Sequence, residues 1–316
     1  MKILVNTQWP EPHLKPVLEA FPQVEFALAP EPEAALREVV DADAVFGYVT
    51  EEMCQAARQL RWVQAQSAGV EWIWETPTLQ RNDTVLTNMR GSHGATIAEH
   101  TFAMLLHMSR RLGHFAEEQR RKRWQIMTDP PQFGLAGLTM GIIGLGNIGR
   151  AIARRAYAFD MRVIAVDIDD VPKPDYVAEL SRLDGLPVLL QRADTVAIAT
   201  PLTPQSRGMI TADHLGMMKP TAHLLVLSRG KIVDETALIA ALKEQWIAGA
   251  CLDVQAEEPM SKGNQLWDAP NLILTPHNSA VSQQTYALGS AIFRENLGRF
   301  LAGETLTNLV DKSRGY

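Results

Sequence analysis

Three side chains in the second half of the chain supply what a proton-transfer site needs: a fixed cation, a carboxylate and a histidine. Arg229 follows the apolar run HLLVL and precedes Gly230, which puts it at a strand end, where a guanidinium can grip a carboxylate through two parallel hydrogen bonds. Glu258 lies in Glu257-Glu258-Pro259, and a proline biases the residue before it towards extended backbone rather than helix. His277 closes Thr275-Pro276-His277 after the last strand pattern, and imidazole is the side chain that takes and returns a proton near neutral pH. The bland readings are a structural salt bridge, an exposed loop acid and a satisfied structural histidine. Position favours chemistry. Of the eight histidines His277 is the one at an expected carboxyl strand end, whereas His100 and His107 fall on a helix and His114 just beyond it.

A second constellation, Gly144-Leu145-Gly146-Asn147-Ile148-Gly149, suits a dinucleotide. It joins an apolar run at 138–143 (LTMGII), fit for a buried parallel strand, to residues 147–159, which are apolar at helical spacing. Gly144 permits the sharp turn. Gly146 lets a pyrophosphate lie against bare backbone at the helix N-terminus that Asn147 and Ile148 open, and Gly149 lets helix and strand pack closely. The next strand, 161–166, ends in Asp167, 23 positions after Gly144, where a carboxylate can accept both hydroxyls of an adenosine ribose and repel a 2′-phosphate. No arginine follows at Ile168, Asp169 or Asp170, so NADH is expected over NADPH. A bare glycine pattern can be a flexible surface loop, but strand, turn, helix and terminal acid in register argue against that here.

These residues need a frame. At 316 residues the chain exceeds what one hydrophobic core usually supports, and two domains are expected. Strand patterns at 2–6, 24–29, 42–49 and 60–66, punctuated by Pro10, Pro12, Pro30, Pro32 and Gly69, describe a smaller flavodoxin-like domain without a glycine fingerprint. A helical segment, 97–111, should carry the chain onward, and its apolar face could support a dimer. Further strands at 195–200, 223–227, 248–254 and 272–275 continue one parallel sheet, and a helix at 283–301 should return to the first domain. Ligands of such sheets bind beyond the carboxyl strand ends, where Asp167, Thr200-Pro201, Ser228-Arg229, Asp253 and Pro276-His277 fall. The fold class expected is α/β with two doubly wound parallel-sheet domains: a discontinuous substrate-binding domain, 1–96 and 284–316, and a Rossmann NAD-binding domain, 97–283.

Composition excludes several classes. A net charge of −6 disfavours broad attraction to nucleic acid, and the basic run Arg120-Arg121-Lys122-Arg123 reads as a solvated helix end or a subunit contact. Cys54 and Cys251 stand far apart with no metal-ligand grouping, so neither a disulfide framework nor a metal site is expected. No apolar segment is long enough to cross a bilayer, and the start lacks a secretory pattern, so a cytoplasmic protein is expected.

Four signatures in order, Ser67-Ala68-Gly69-Val70, the GLGNIG turn, Leu227-Ser228-Arg229-Gly230 with Val233-Asp234, and Leu252-Asp253-Val254 with Glu258-Pro259 and Thr275-Pro276-His277, resemble the D-2-hydroxyacid dehydrogenase family over nearly the whole chain. The resemblance implies that Arg229 orients the substrate, His277 gives or takes the proton and Glu258 hydrogen-bonds the imidazole. It further implies that Asp253, Ser228 and Thr200-Pro201 border the cofactor, and that Ala68, Gly69 and Val70 bind the substrate, the last two holding its carboxylate on backbone amides. Closure of the two domains would exclude water.

The chain departs from the family pattern in Ala197-Ile198-Ala199-Thr200, where many relatives carry a histidine, and in Arg123-Trp124, where glycine-tryptophan is usual. Glu258 argues against the formate dehydrogenase branch, which has glutamine there, and the chain stopping soon after the returning helix argues against phosphoglycerate dehydrogenases with a regulatory domain. The expected activity is an NAD-dependent 2-oxoacid reductase acting on glyoxylate, hydroxypyruvate or similar, as a homodimer. A small or apolar substrate is expected over a phosphorylated one, since Gly47-Tyr48-Val49-Thr50 offers no cation, though Arg90 could supply charge. The alternative is an NAD(H)-sensing, corepressor-like binding protein of the same fold.

Overall fold

The computed structural model describes residues 1–127 and 132–316. The chain divides into two compact units, Met1–His93 with Val281–Tyr316, and Gly94–Ala280. These divisions fall slightly before the expected 96/97 and 283/284, because the helix Gly94–Ser109 starts earlier than its apolar pattern does and the turn before the helix Gln283–Ala302 already packs with the first unit.

The first unit holds a five-stranded parallel sheet of β1 (Lys2–Asn6), β2 (Glu25–Leu28), β3 (Ala44–Gly47), β4 (Trp62–Ala65) and β5 (Val85–Thr87). Its order, β2-β1-β3-β4-β5, is that of a flavodoxin-like sheet. Every residue of β3 and β4 is buried, which is why both read as continuous rather than alternating apolar patterns. β5 has three residues, too few for any periodicity, and escapes the sequence reading. The helix Gln283–Ala302 returns to this sheet, stacking Phe293 on Phe46 at 4.1 Å between centroids. A buried polar network fixes it. Asn296 Nδ2 donates to Gln64 Oε1 at 2.9 Å, and Asn296 Oδ1 accepts from the Thr307 amide at 2.8 Å, so these buried amides meet protein partners rather than losing water uncompensated.

The second unit holds seven parallel strands: β6 (Thr139–Ile143), β7 (Arg162–Asp167), β8 (Glu179–Arg182), β9 (Thr195–Ile198), β10 (His223–Val226), β11 (Gly249–Leu252) and β12 (Leu272–Leu274). Their order, β12-β11-β10-β9-β6-β7-β8, is the doubly wound one and reverses between β6 and β9. β8, sequence ELSR, is an edge strand with no apolar run to reveal it. Its Glu179 pairs with Arg162 at 2.6 Å and Arg192 at 2.7 Å, and those two guanidiniums hold its carboxyl down at about 2.

The helix Gly94–Ser109 buries Ile97, Ala98, Thr101, Phe102, Met104 and Leu105 within its own unit, where it packs on the helix Asn147–Ala158. This corrects one expectation: the apolar face offered to a dimer is consumed inside the fold. The basic run ends the helix Leu112–Arg120, with Arg121 paired to Glu117 at 2.8 Å and Arg123 to Glu118 at 2.5 Å, as a solvated helix end should be. Both cysteines are free and buried, and burial pushes the Cys54 thiol up to about 11 and that of Cys251 to about 12. Among the described residues no helix is long and apolar enough to cross a membrane.

Candidate active site

The candidate residues of the second unit gather at the carboxyl edge of its sheet, and the glycine turn after β6 begins the construction. Gly144 has φ +91°, and a Cβ there would lie 2.9 Å from the Thr200 amide nitrogen at the end of β9. A Cβ on Gly149 would lie 1.9 Å from the Gly144 carbonyl oxygen, so this glycine sets the distance between helix and turn. A Cβ on Gly146 would meet nothing within 4 Å. Gly146 is the N-cap of the 12-residue helix Asn147–Ala158 and supplies no side-chain cap, leaving bare first-turn amides and the positive helix end beside open space. These features fit a dinucleotide pyrophosphate.

Asp167 ends β7, its carboxylate accepting from the Leu145 amide at 2.6 Å and the Asp169 amide at 2.8 Å, which ties the acid to the glycine turn. Thr200 and Pro201 follow β9, and the Pro201 carbonyl is fixed by the Ser206 hydroxyl at 2.7 Å. Ser228 is 6% exposed, and its Oγ is buried without a hydrogen-bond partner among the described residues. A buried hydroxyl in that state is open to a partner from outside the chain.

Arg229, Glu258 and His277 converge. His277 Nδ1 lies 2.7 Å from Glu258 Oε2, with the two side chains 39% and 34% exposed. Glu258 is itself fixed, its Oε1 accepting from the Gln255 amide at 2.9 Å. Partial burial pushes the Glu258 carboxyl up, but the hydrogen bonds from His277 and Gln255 and the charges of His277 and Arg229 outweigh it and hold the carboxyl below its ordinary value. Arg229 therefore lies close enough to act on Glu258, and its Nη1 donates to the Ser228 carbonyl at 2.7 Å. The loop after β11 approaches the end of β10 so closely that a Cβ on Gly230 would lie 2.1 Å from the Gln255 carbonyl carbon. That glycine permits Arg229 and Glu258 to share a site. With Nδ1 turned to Glu258, Nε2 is the ring nitrogen of His277 left to meet a substrate.

Asp253, expected on the nicotinamide side, has a fully buried side chain whose carboxylate is met by protein donors. Thr275 Oγ1 donates to Oδ1 at 2.6 Å, the Asn278 amide to Oδ1 at 2.9 Å and the Ser279 amide to Oδ2 at 2.9 Å. A buried carboxylate needs such donors, and these belong to the loop that carries His277. Sequence reasoning also passed over His100, Thr275 as a side chain, and Gln255. His100 and Met104 are four apart on one helix, and both lie within reach of Thr275. A histidine on an otherwise apolar helix face was the available signal.

In the first unit the candidate segment 67–70 is a tied turn: Ser67 Oγ donates to the Gly69 carbonyl at 2.7 Å and Asn88 Nδ2 to the Ala68 carbonyl at 2.9 Å, with Val70 at the N-cap position of the short helix Glu71–Glu75. Gly47, at φ +136°, ends β3, and a Cβ there would lie 1.8 Å from the Asn6 carbonyl oxygen. Tyr48 sets its ring edge-on to Trp72 at 5.3 Å, and Arg90 is exposed.

Comparison with known proteins places these features in a family. Residues 102–279 match the model described as D-isomer specific 2-hydroxyacid dehydrogenase, NAD binding domain. The glyoxylate reductase of Korarchaeum cryptofilum is 35% identical over 292 residues, 90% of this chain and 87% of that one. A solved protein of Thermus thermophilus superposes with a TM-score of 0.83 at 31% identity, covering 98% of this chain and all of that one. The NADPH-dependent glyoxylate/hydroxypyruvate reductase of Sinorhizobium meliloti, solved with NADP and sulfate, gives 0.85 at 26% identity, covering 100% and 99%.

Proposed function

We propose, for a chain that belongs to the D-isomer specific 2-hydroxyacid dehydrogenase family, that it reduces small 2-oxo acids such as glyoxylate or hydroxypyruvate with NADH, His277 serving as the proton donor. Hydride transfer between a 2-oxo acid and its 2-hydroxy acid through a nicotinamide cofactor is the family's reaction. A sensor without turnover is not favoured, since the relatives are enzymes and the cation, carboxylate and histidine are all present. The observation that carries the reading is the 2.7 Å contact of His277 with Glu258, within the field of Arg229.

When bound, the nicotinamide supplies or accepts hydride at the substrate's C2. The rest is assigned to this chain. In reduction His277 holds a proton at Nε2 and passes it to the oxygen that becomes the hydroxyl, while the Glu258 carboxylate steadies the imidazolium through Nδ1. Arg229 orients the substrate carboxylate and stabilises negative charge on the reacting oxygen. Ala68, Gly69 and Val70 are assigned to substrate binding on the family resemblance, the amides of the last two holding the carboxylate. NADH is proposed over NADPH on the acid at Asp167 and the absence of a following arginine, although the Sinorhizobium meliloti enzyme is NADPH-dependent. A loop at Gly47-Tyr48-Val49-Thr50 without a cation favours a small or apolar substrate side chain. A homodimer is proposed, with Trp124, 95% exposed, and Ile126, 75% exposed, as the apolar surface it would cover. Sedimentation tests it.

The enzymatic test is steady-state kinetics with NADH and NADPH against glyoxylate, hydroxypyruvate, pyruvate and a phosphorylated 2-oxo acid. Turnover of the small acids with NADH is expected. No turnover of any of them, with tight NADH binding retained, would overturn the proposal.

A further inference from the structure

On the helix Gly94–Ser109, His100 reaches Thr275, two residues before His277, from another element. His100 Nε2 lies 2.9 Å from Thr275 Oγ1 and 3.6 Å from Asp253 Oδ1. The second distance is too long for a hydrogen bond, so His100 acts on the carboxylate through the threonine hydroxyl. That hydroxyl has one proton and three acceptors within reach: Asp253 Oδ1 at 2.6 Å, His100 Nε2 at 2.9 Å if that nitrogen carries no proton, and the Met104 sulfur at 3.7 Å. The shortest bond, to an ionised oxygen, is the strongest, and the proton goes to Asp253. Thr275 Oγ1 can then only accept from His100, which fixes the proton of that ring on Nε2. The result is a directed chain from His100 through Thr275 to Asp253.

The chain ends on the carboxylate that holds the loop of His277. Asp253 accepts from the amides of Asn278 and Ser279, and its own carbonyl accepts from the His277 amide at 2.7 Å. His277 has φ +55°, a left-handed conformation that costs a residue with a side chain on the order of 1 kcal/mol or more and persists where surrounding bonds over-determine it. Those bonds are the ones Asp253 organises. Removing His100 would take away the donor that pins the Thr275 hydroxyl from behind and leave its bond to the buried carboxylate less well oriented.

We propose that His100 is a positioning residue of the reaction: acting through Thr275 and Asp253, it sets the loop that aims His277. This rests on the reading of His277 as the proton donor.

The test uses the full-length protein with NADH and whichever of glyoxylate, hydroxypyruvate and pyruvate it reduces fastest. His100→Leu should lower kcat about tenfold while leaving the KM for NADH within about twofold. His100→Gln, whose amide N–H can still donate to Thr275 Oγ1, should recover most of the loss. Thr275→Val should resemble His100→Leu, and the double variant should be no worse than either, because all three break one chain. In the wild-type protein, nitrogen-15 NMR should show the neutral ring of His100 protonated on Nε2, a signature that needs no activity and no variant. Wild-type kcat in His100→Leu, additive losses in the double variant, a His100→Gln no better than His100→Leu, or the Nδ1-protonated tautomer would each overturn the proposal. If His100→Leu fails to fold, the glutamine variant and the NMR signature decide. His277→Ala separates the two ideas: full turnover in that variant would sink the proton-donor reading itself, whereas its inactivity beside an unaffected His100→Leu would sink the positioning role alone.

Discussion

His223 and His277 stand at opposite edges of one parallel sheet, and under the proposed function strand direction divides structural from chemical duty. His223 is the first residue of β10, 7% exposed and stacked on Phe133 at 4.7 Å, and burial pushes its imidazole down to about 4. His277 follows the carboxyl end of β12, 39% exposed and 2.7 Å from a carboxylate. At the amino edge the ring serves as a flat, neutral packing surface. At the carboxyl edge the loops deliver Glu258, Arg229 and the backbone donors around Asp253, and the same kind of side chain meets a carboxylate instead of an aromatic ring.

The contrast breaks most visibly at the carboxyl edge. His277→Ala should lower kcat for 2-oxo acid reduction by roughly 10²- to 10⁴-fold, the range for loss of a positioned proton donor. NADH binding, followed by fluorescence titration, should change little, since the glycine turn does not depend on the imidazole. A variant that kept even a third of wild-type kcat would return His277 to the status of a structural histidine.

The amino edge makes the opposite prediction, in stability rather than rate. The folded-state value of His223, about 4, lies below the 6.5 of the free side chain, so the fold prefers the neutral ring. Its contribution is complete above about pH 6.5 and is lost as pH falls from there to about 4, the unfolded chain binding a proton that the folded one refuses. The difference amounts to roughly 3 kcal/mol across that window. Urea unfolding at pH 7.5 and pH 5 should show part of this loss, and His223→Leu, which keeps an apolar contact for Phe133, should flatten it. An equal pH dependence in the variant would show that other groups cause the acid destabilisation.

Glu258 sharpens the comparison, since it is the partner that His223 lacks. Without its negative charge the imidazolium of His277 is less favoured, so Glu258→Gln should move the high-pH decline of kcat/KM for reduction to lower pH, with a loss of about tenfold at neutral pH. The Glu258 carboxyl, held below its ordinary value, also contributes stability at neutral pH that is lost as pH falls through its folded value, and the same substitution would remove that slope. An unchanged pH profile would mean that the 2.7 Å contact carries no catalytic consequence.

Much of this was legible in the sequence because the physics was local. A strand that ends in Arg229, a glycine turn with an acid 23 residues later and a histidine after a strand are each encoded within a short window. What escaped depended on distant partners or on weak patterns. β8 carries charges because it is an edge, and β5 is too short to show a period. The strand-end position of Asp253 is legible, but the donors at Thr275, Asn278 and Ser279 that meet its carboxylate are announced by no spacing. His100 reads from sequence as a residue of a helix, because its partner Thr275 lies 175 positions away.

The smallest effect concerns Asp167, which has two tasks that one substitution can confuse. Its charge is proposed to disfavour a 2′-phosphate, and its oxygens also accept from the Leu145 and Asp169 amides. Asp167→Ala should narrow the ratio of kcat/KM for NADH over NADPH severalfold to about tenfold, and it should also cost stability by leaving the Leu145 amide without that acceptor. Asp167→Asn separates the tasks: its carbonyl oxygen can still accept from Leu145, while the repelling charge is gone. If charge sets the preference, the asparagine variant should narrow the ratio as far as the alanine variant does and melt closer to the wild type. Should asparagine keep the wild-type ratio while alanine narrows it, the preference would come from the shape of the glycine turn that Asp167 supports and not from repulsion of phosphate.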